Sequence, residues 1–138
     1  MRHEFSAGIV VYREHEGQRL YLLLHYASGH WDFAKGKIEK GETKQEAALR
    51  ELKEEANISA KILPGFEFSF DYWFRGYETR ELINKTVYFF VGPTQETDIT
   101  LSKEHQGFAW LPYDTALEQL TYDNAKELLA DAQAFLNK

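Results

Sequence analysis

The sequence predicts an α/β fold in which a mixed β-sheet lies between helices. Three observations lead there. Several short segments are rich in Val, Ile, Leu, Tyr and Phe; one central segment carries a helical apolar stripe behind a cap signal; and the C-terminal segment is apolar at helical spacing. The 138 residues are enough to bury a core without disulfides or a structural metal, and residues 1–138 are expected to form one domain.

In chain order, Phe5–Tyr12 and Arg19–Tyr26 read as strands, and the polar stretch from Arg13 to Gln18 between them makes a hairpin. Residues 27–42 contain Gly29, Gly36 and Gly41 without helical periodicity and read as a long loop, a kind of segment that is usually functional. Thr43–Ala56 is the clearest helix. Thr43-Lys44-Gln45-Glu46 fits a capping box, and Ala48, Leu49, Leu52 and Ala56 fall within about 100° of one another on the helical wheel. Pro64-Gly65 marks a turn. After it Phe66, Phe68, Phe70 and Tyr72 alternate with Glu67, Ser69 and Asp71, as in a half-buried strand. Lys85–Val91 and Gly107–Leu111 are further strands, and Asp114–Leu136 is helical with a break near Thr121.

Composition narrows the function classes. Sixteen basic against 22 acidic side chains leave a net charge of −6, which argues against extended nucleic-acid binding or an anionic membrane partner. A small phosphorylated ligand remains compatible, because a metal ion and a few local cations suffice for one. The absence of cysteine excludes a disulfide scaffold, a thiolate zinc site and thiol catalysis. Apolar runs such as Leu20–Leu24 are far shorter than the roughly 20 residues of a membrane span, and Met1–Phe5 lacks the features of a signal peptide. A cytoplasmic protein without a membrane partner, acting as a monomer, is the expectation.

Glu51, Glu54 and Glu55 stand at i, i+3 and i+4, so they share a helix face, and Glu42 just precedes the helix. Like charges at this spacing destabilise a helix by a few tenths of a kcal/mol per pair. A hard divalent cation reverses that penalty, because Mg²⁺ prefers carboxylate oxygen. On spacing alone, a solvated acidic face partnered by Arg50 and Lys53 is the competing reading. Gly29 to Lys37 only faintly matches a phosphate-binding loop, and neither His-Glu-x-x-His nor Gly-x-Ser-x-Gly occurs.

The wider segment settles more. Gly36, Glu42 and the run Arg50-Glu51-Leu52-Lys53-Glu54-Glu55-Ala56-Asn57-Ile58 together resemble the Nudix box. Its one departure is Asn57, where the family pattern has glycine. Asn is the next most tolerant residue of a left-handed backbone, so the departure is expected to cost a little stability and no function. The resemblance implies a Nudix-type α/β/α sandwich. It also implies a hydrolase of nucleoside diphosphates linked to another group, using Mg²⁺, with Mn²⁺ as a substitute. By the same resemblance Glu51, Glu54, Glu55 and the Gly36 carbonyl are metal ligands, one glutamate assists deprotonation of water, and Arg50 orients the glutamates. Glu42 is either a further member of this site or a structural tie between loop and helix.

Outside the box, His30-Trp31, Lys35-Gly36-Lys37, Lys85-Thr86-Val87 and Ser102–Gln106 leading to Trp110-Leu111 occur in order and spacing. They resemble the asymmetrical diadenosine tetraphosphate hydrolases. That narrower resemblance implies a dinucleoside polyphosphate substrate. It makes Glu104 an additional metal-binding or base carboxylate, and His30, Lys35 and Lys85 phosphate contacts. Tyr72 and Tyr122 would stack on adenine, although Tyr72 shares the parity of the core-facing Phe66, Phe68 and Phe70. His105 reads as a structural hydrogen-bonding residue. In many relatives a proline precedes Lys35; here Ala34 does, which leaves the path of that loop open. The competing functions are hydrolysis of another polyphosphate, such as a 5′-triphosphate RNA end, and a nucleotide-sensing module without turnover.

Overall fold

The computed structural model describes residues 2–138. Its frame is a mixed seven-stranded sheet. The strands are β1 (Arg2–His15), β2 (Gln18–Tyr26), β3 (Trp31–Asp32), β4 (Ala34–Lys37), β5 (Phe68–Arg75), β6 (Leu82–Pro93) and β7 (His105–Leu111). The helices are α1 (Lys44–Ala56), α2 (Tyr113–Gln119) and α3 (Asp123–Leu136).

The expected hairpin forms, and it is tighter than the polar stretch suggested. β1 and β2 pair in register from Tyr12↔Tyr21 to His15↔Gln18. That leaves only Glu16 and Gly17 in the turn, both at positive φ (51° and 80°). A two-residue turn with this backbone follows the twist of the strands it joins, and the ladder therefore runs to its base.

Residues 27–42 are not one continuous loop. β3 pairs with β2, and β4 pairs antiparallel with β1 from Ser6↔Lys37 to Ile9↔Ala34. β1 is long enough to hold β2 along its C-terminal part and β4 along its N-terminal part, while β6 runs parallel to it on the other side. Such short strands have no periodicity of their own to reveal them; the existing edge of β1 creates them. Gly8 of β1 lies between Lys35 of β4 and Phe89 of β6, and a Cβ there would overlap the Ala34 carbonyl and the Phe89 ring.

Alternation along the strands splits the core in two. Val10, Leu23, Val87 and Phe89 face α2 and α3, where Leu128 and Leu129 are buried against them. Ile9, Val11, Leu22, Leu24 and Phe90 face α1, whose Ala47, Ala48, Leu52 and Ala56 close that side. Leu52 is fully buried, so truncation to Ala would cost about 2–5 kcal/mol. The helix begins as its sequence requires. The Glu46 amide donates to Thr43 Oγ1 and the Thr43 amide to Glu46 Oε1. It ends at Asn57, in the left-handed conformation (φ 58°) expected of that position. The C-terminal helical segment breaks between α2 and α3, at Leu120–Tyr122. No helix among the described residues is long and apolar enough to cross a membrane.

Candidate active site

Two groups of residues flank the end of the sheet where β4 runs into α1. The first is organised by Arg50. Its Nε donates to Glu42 at 2.6 Å, and its Nη2 to Glu42 at 3.0 Å and to the Lys37 carbonyl at 2.9 Å. Its Nη1 donates to Glu51 and Glu54, both at 2.9 Å. Every N–H of the guanidinium therefore has an acceptor. Glu42 also accepts from the Glu39 amide at 2.9 Å, so it ties the loop to the helix. Of the two roles open to Glu42, this geometry favours the structural one. The Arg50 hydrogen bonds hold the Glu42 carboxyl below its ordinary pKa, and those to Glu42 and Glu51 raise the guanidinium above its own.

Glu55, beside Glu51, is turned into the protein and is 2% exposed. Its Oε1 lies 3.2 Å from the Tyr26 hydroxyl and 3.1 Å from His105 Nε2, the imidazole being poorly aligned for a hydrogen bond. Burial first, then the neighbouring Glu51 carboxylate, push the Glu55 carboxyl up to about 9. Tyr26 donates to the Phe33 carbonyl at 2.9 Å, and His105 Nδ1 lies 3.1 Å from Ser102 Oγ, as suits a structural histidine. Tyr26 was missed by sequence reasoning. It sits in an apolar strand like any core tyrosine, and only the fold carries its hydroxyl to a carboxylate. Glu104 lies on the exposed turn before β7, held by its own carbonyl, which accepts from the Ala27 amide at 2.8 Å. Its charge is close enough to raise the pKa of both Glu55 and Tyr26.

These residues fit a hard divalent cation. Glu55 Oε2 is buried without a hydrogen-bond partner. Gly36 leaves the space that the Glu51 carboxylate fills, since a Cβ there would overlap that group. All the donors are oxygens, the chemistry that Mg²⁺ selects. Among the described residues no three Asp, Glu or His side chains already stand in a ligating cage. Arg50 holds Glu51 and Glu54 by one nitrogen, which fixes both carboxylates but directs one oxygen of each toward itself.

The second group lies on the opposite face of the sheet, under α3. A cavity of about 590 Å³ is lined by His30, Lys35, Phe70, Tyr72, Phe89 and Tyr122. Tyr72 keeps the parity of the β5 phenylalanines, yet β5 is an edge strand and its ring is 36% exposed beside the cavity. Tyr122 comes from the α2–α3 junction and is 51% exposed. His30 stacks on Tyr26 at 4.5 Å, and Lys35 pairs with Asp32 at 3.2 Å. Burial lowers the His30 pKa despite the nearby Asp32. Lys85 stands directly opposite Tyr72 in the β5–β6 ladder. Burial, then the positive charge of Lys35, hold its ammonium below the ordinary pKa, a tension that an anion would relieve. Phe70 and Phe89 also line the cavity; sequence alone places Phe70 on a half-buried strand and gives Phe89 no role.

Known proteins resemble this chain over nearly its whole length. The family model of the NUDIX domain matches residues 2–132. The asymmetrical bis(5′-nucleosyl)-tetraphosphatase of Caenorhabditis elegans is 35% identical over 133 residues, covering 95% of each chain. The enzyme of that name from Rattus norvegicus is 31% identical over 144 residues, covering 95% of this chain and 94% of its own. Among solved structures, a binary complex of C. elegans Ap4A hydrolase superposes with a TM-score of 0.84 at 30% identity, covering 97% of this chain and 98% of the other.

Proposed function

The chain belongs to the NUDIX domain family and is a Nudix hydrolase acting on nucleoside polyphosphates; from that premise we propose that it splits diadenosine tetraphosphate with water into ATP and AMP. One observation carries this reading: a cavity walled by Tyr72 and Tyr122 and edged by His30 and Lys35 lies across the sheet from a helix edge of carboxylates. A stacking surface, cations and an acidic metal site in one molecule suit a base joined to a polyphosphate.

Each residue then has a task. Tyr72 and Tyr122 hold one adenine between aromatic rings, an interaction worth about 1–3 kcal/mol that needs no polar code. His30, Lys35 and Lys85 receive the phosphates next to it. Glu51, Glu54 and Glu55 with the Gly36 carbonyl would hold divalent cations, Mg²⁺ or Mn²⁺ in its place, and Glu104 approaches from its turn as a further ligand or as the base. When bound, such cations neutralise phosphate charge and acidify water. Arg50 keeps Glu51 and Glu54 oriented through its hydrogen bonds to both. The water oxygen bonds to phosphorus as the bridging P–O bond breaks, a direct displacement needing no covalent enzyme intermediate. Clamping one nucleoside places the attacked phosphorus away from the centre of the chain, hence unequal products.

Chromatographic product analysis with added Mg²⁺ tests this. Equal ATP and AMP are expected; two ADP would refute the cleavage position. Faster processing of triphosphate-ended RNA at matched concentration would overturn the substrate.

A further inference from the structure

A dinucleoside polyphosphate has two nucleoside ends, and the cavity under α3 takes one. A second cavity, of about 480 Å³, lies on the other side of the phosphate-facing lysines, bordered by Phe5, Tyr88, Lys37, Glu4 and Glu42. The ladder runs between the two, which open on opposite faces of the sheet: Phe5 and Tyr88 share the face of Ile9 and Phe90, Tyr72 and Lys85 that of Phe70 and Phe89. Tyr72 is opposite Lys85 across β5 and β6, and Lys85 is opposite Glu4 across β6 and β1. Lys37 reaches Glu4 from β4 at 3.9 Å. From β5 to β4 is three strand spacings, roughly 14 Å at about 4.8 Å each. Lysines stand along that line, with Lys35 at the first cavity and Lys37 at the second.

The second cavity suits a neutral nucleoside and not a phosphate. Lys44, which also lines it, pairs with Glu67 at 3.0 Å, and the cavity's carboxylates are already paired, Glu4 with Arg2 at 2.9 Å and Glu42 with Arg50 at 2.6 Å. They remain acceptors for sugar hydroxyls or an exocyclic amine. Phe5 is the exception in its own strand: Ala7, Ile9 and Val11 on the same face are at most 1% exposed, whereas Phe5 is 44% exposed. His3 extends its surface, with ring planes 16° apart and centroids at 6.0 Å. A phenyl ring left half in water at the mouth of a cavity is a surface for a base to cover.

We propose that the Phe5–Tyr88 cavity binds the second nucleoside of the dinucleoside polyphosphate, Phe5 supplying the stacking surface and Lys37 the last phosphate contact. The proposal rests on the dinucleotide reading above. It is tested by comparing KM for diadenosine tetraphosphate with the inhibition constant of adenosine 5′-tetraphosphate, which has one nucleoside. Phe5→Ala should raise the ratio of the two about tenfold, the typical loss of one base stack. Phe5→Trp should restore the ratio. Phe108→Ala, removing a similarly exposed ring (42%) that borders neither cavity, should leave it unmoved. An unchanged ratio in Phe5→Ala, including an equal loss for both nucleotides, overturns the second subsite while the substrate assignment stands. Failure of the unaltered protein to cleave the dinucleotide removes both.

Discussion

The two faces of the sheet hold their functional side chains differently. On the α1 face, Arg50 satisfies all its donors on Glu42, Glu51, Glu54 and the Lys37 carbonyl, and Gly36 makes room for Glu51. Charge there is oriented before any ligand arrives. On the α3 face, Tyr72 and Tyr122 stand 36% and 51% exposed on an edge strand and a helix junction. A reacting phosphorus needs fixed dipoles, since reorganising them at the moment of reaction costs rate. A base needs only an apolar plane that closes over it. Damage to the first face should therefore appear in turnover, and damage to the second in apparent affinity.

The largest expected effect tests the first half of that contrast. Glu54→Gln removes a charge from an exposed side chain hydrogen-bonded only to Arg50, and turnover should fall about a thousandfold. The circular-dichroism spectrum should stay unchanged; near-normal activity would break the comparison. Next comes Gly36→Ala. Its methyl would displace the Glu51 carboxylate, the mobile end of a side chain, so the protein should fold while kcat drops about a hundredfold or more, as expected for a displacement of about 1 Å or more. Tyr122→Ala sharpens the second half. Its exposed ring packs little, so KM should rise about tenfold with kcat and melting temperature nearly constant. The smallest effect lies outside both faces. Asn57→Gly relieves a left-handed backbone (φ 58°). Strain relief minus the added entropy of an unfolded glycine leaves a gain of about 0.5 kcal/mol, about 1–3 °C in Tm, with turnover intact. A lower Tm would contradict that balance.

Features confined to one turn of chain were legible without the fold. The capping box of Thr43 and Glu46, the left-handed Asn57 and the shared edge of Glu51 and Glu54 all follow from spacings of three or four residues, because a helix brings such neighbours together by its own geometry. Alternation likewise exposed the β5 phenylalanines. What tertiary structure alone decided concerns groups far apart in the chain. β3 and β4 exist because β2 and β1 offer edges to them; Glu55 is separated from Glu51 in environment because Tyr26 and His105 close over it; Tyr72, unlike Phe70 on the same face, borders the cavity where the core packing stops. A side chain's own backbone sets which way it points, but whether water, a carboxylate or a packed ring waits there depends on strands brought from elsewhere.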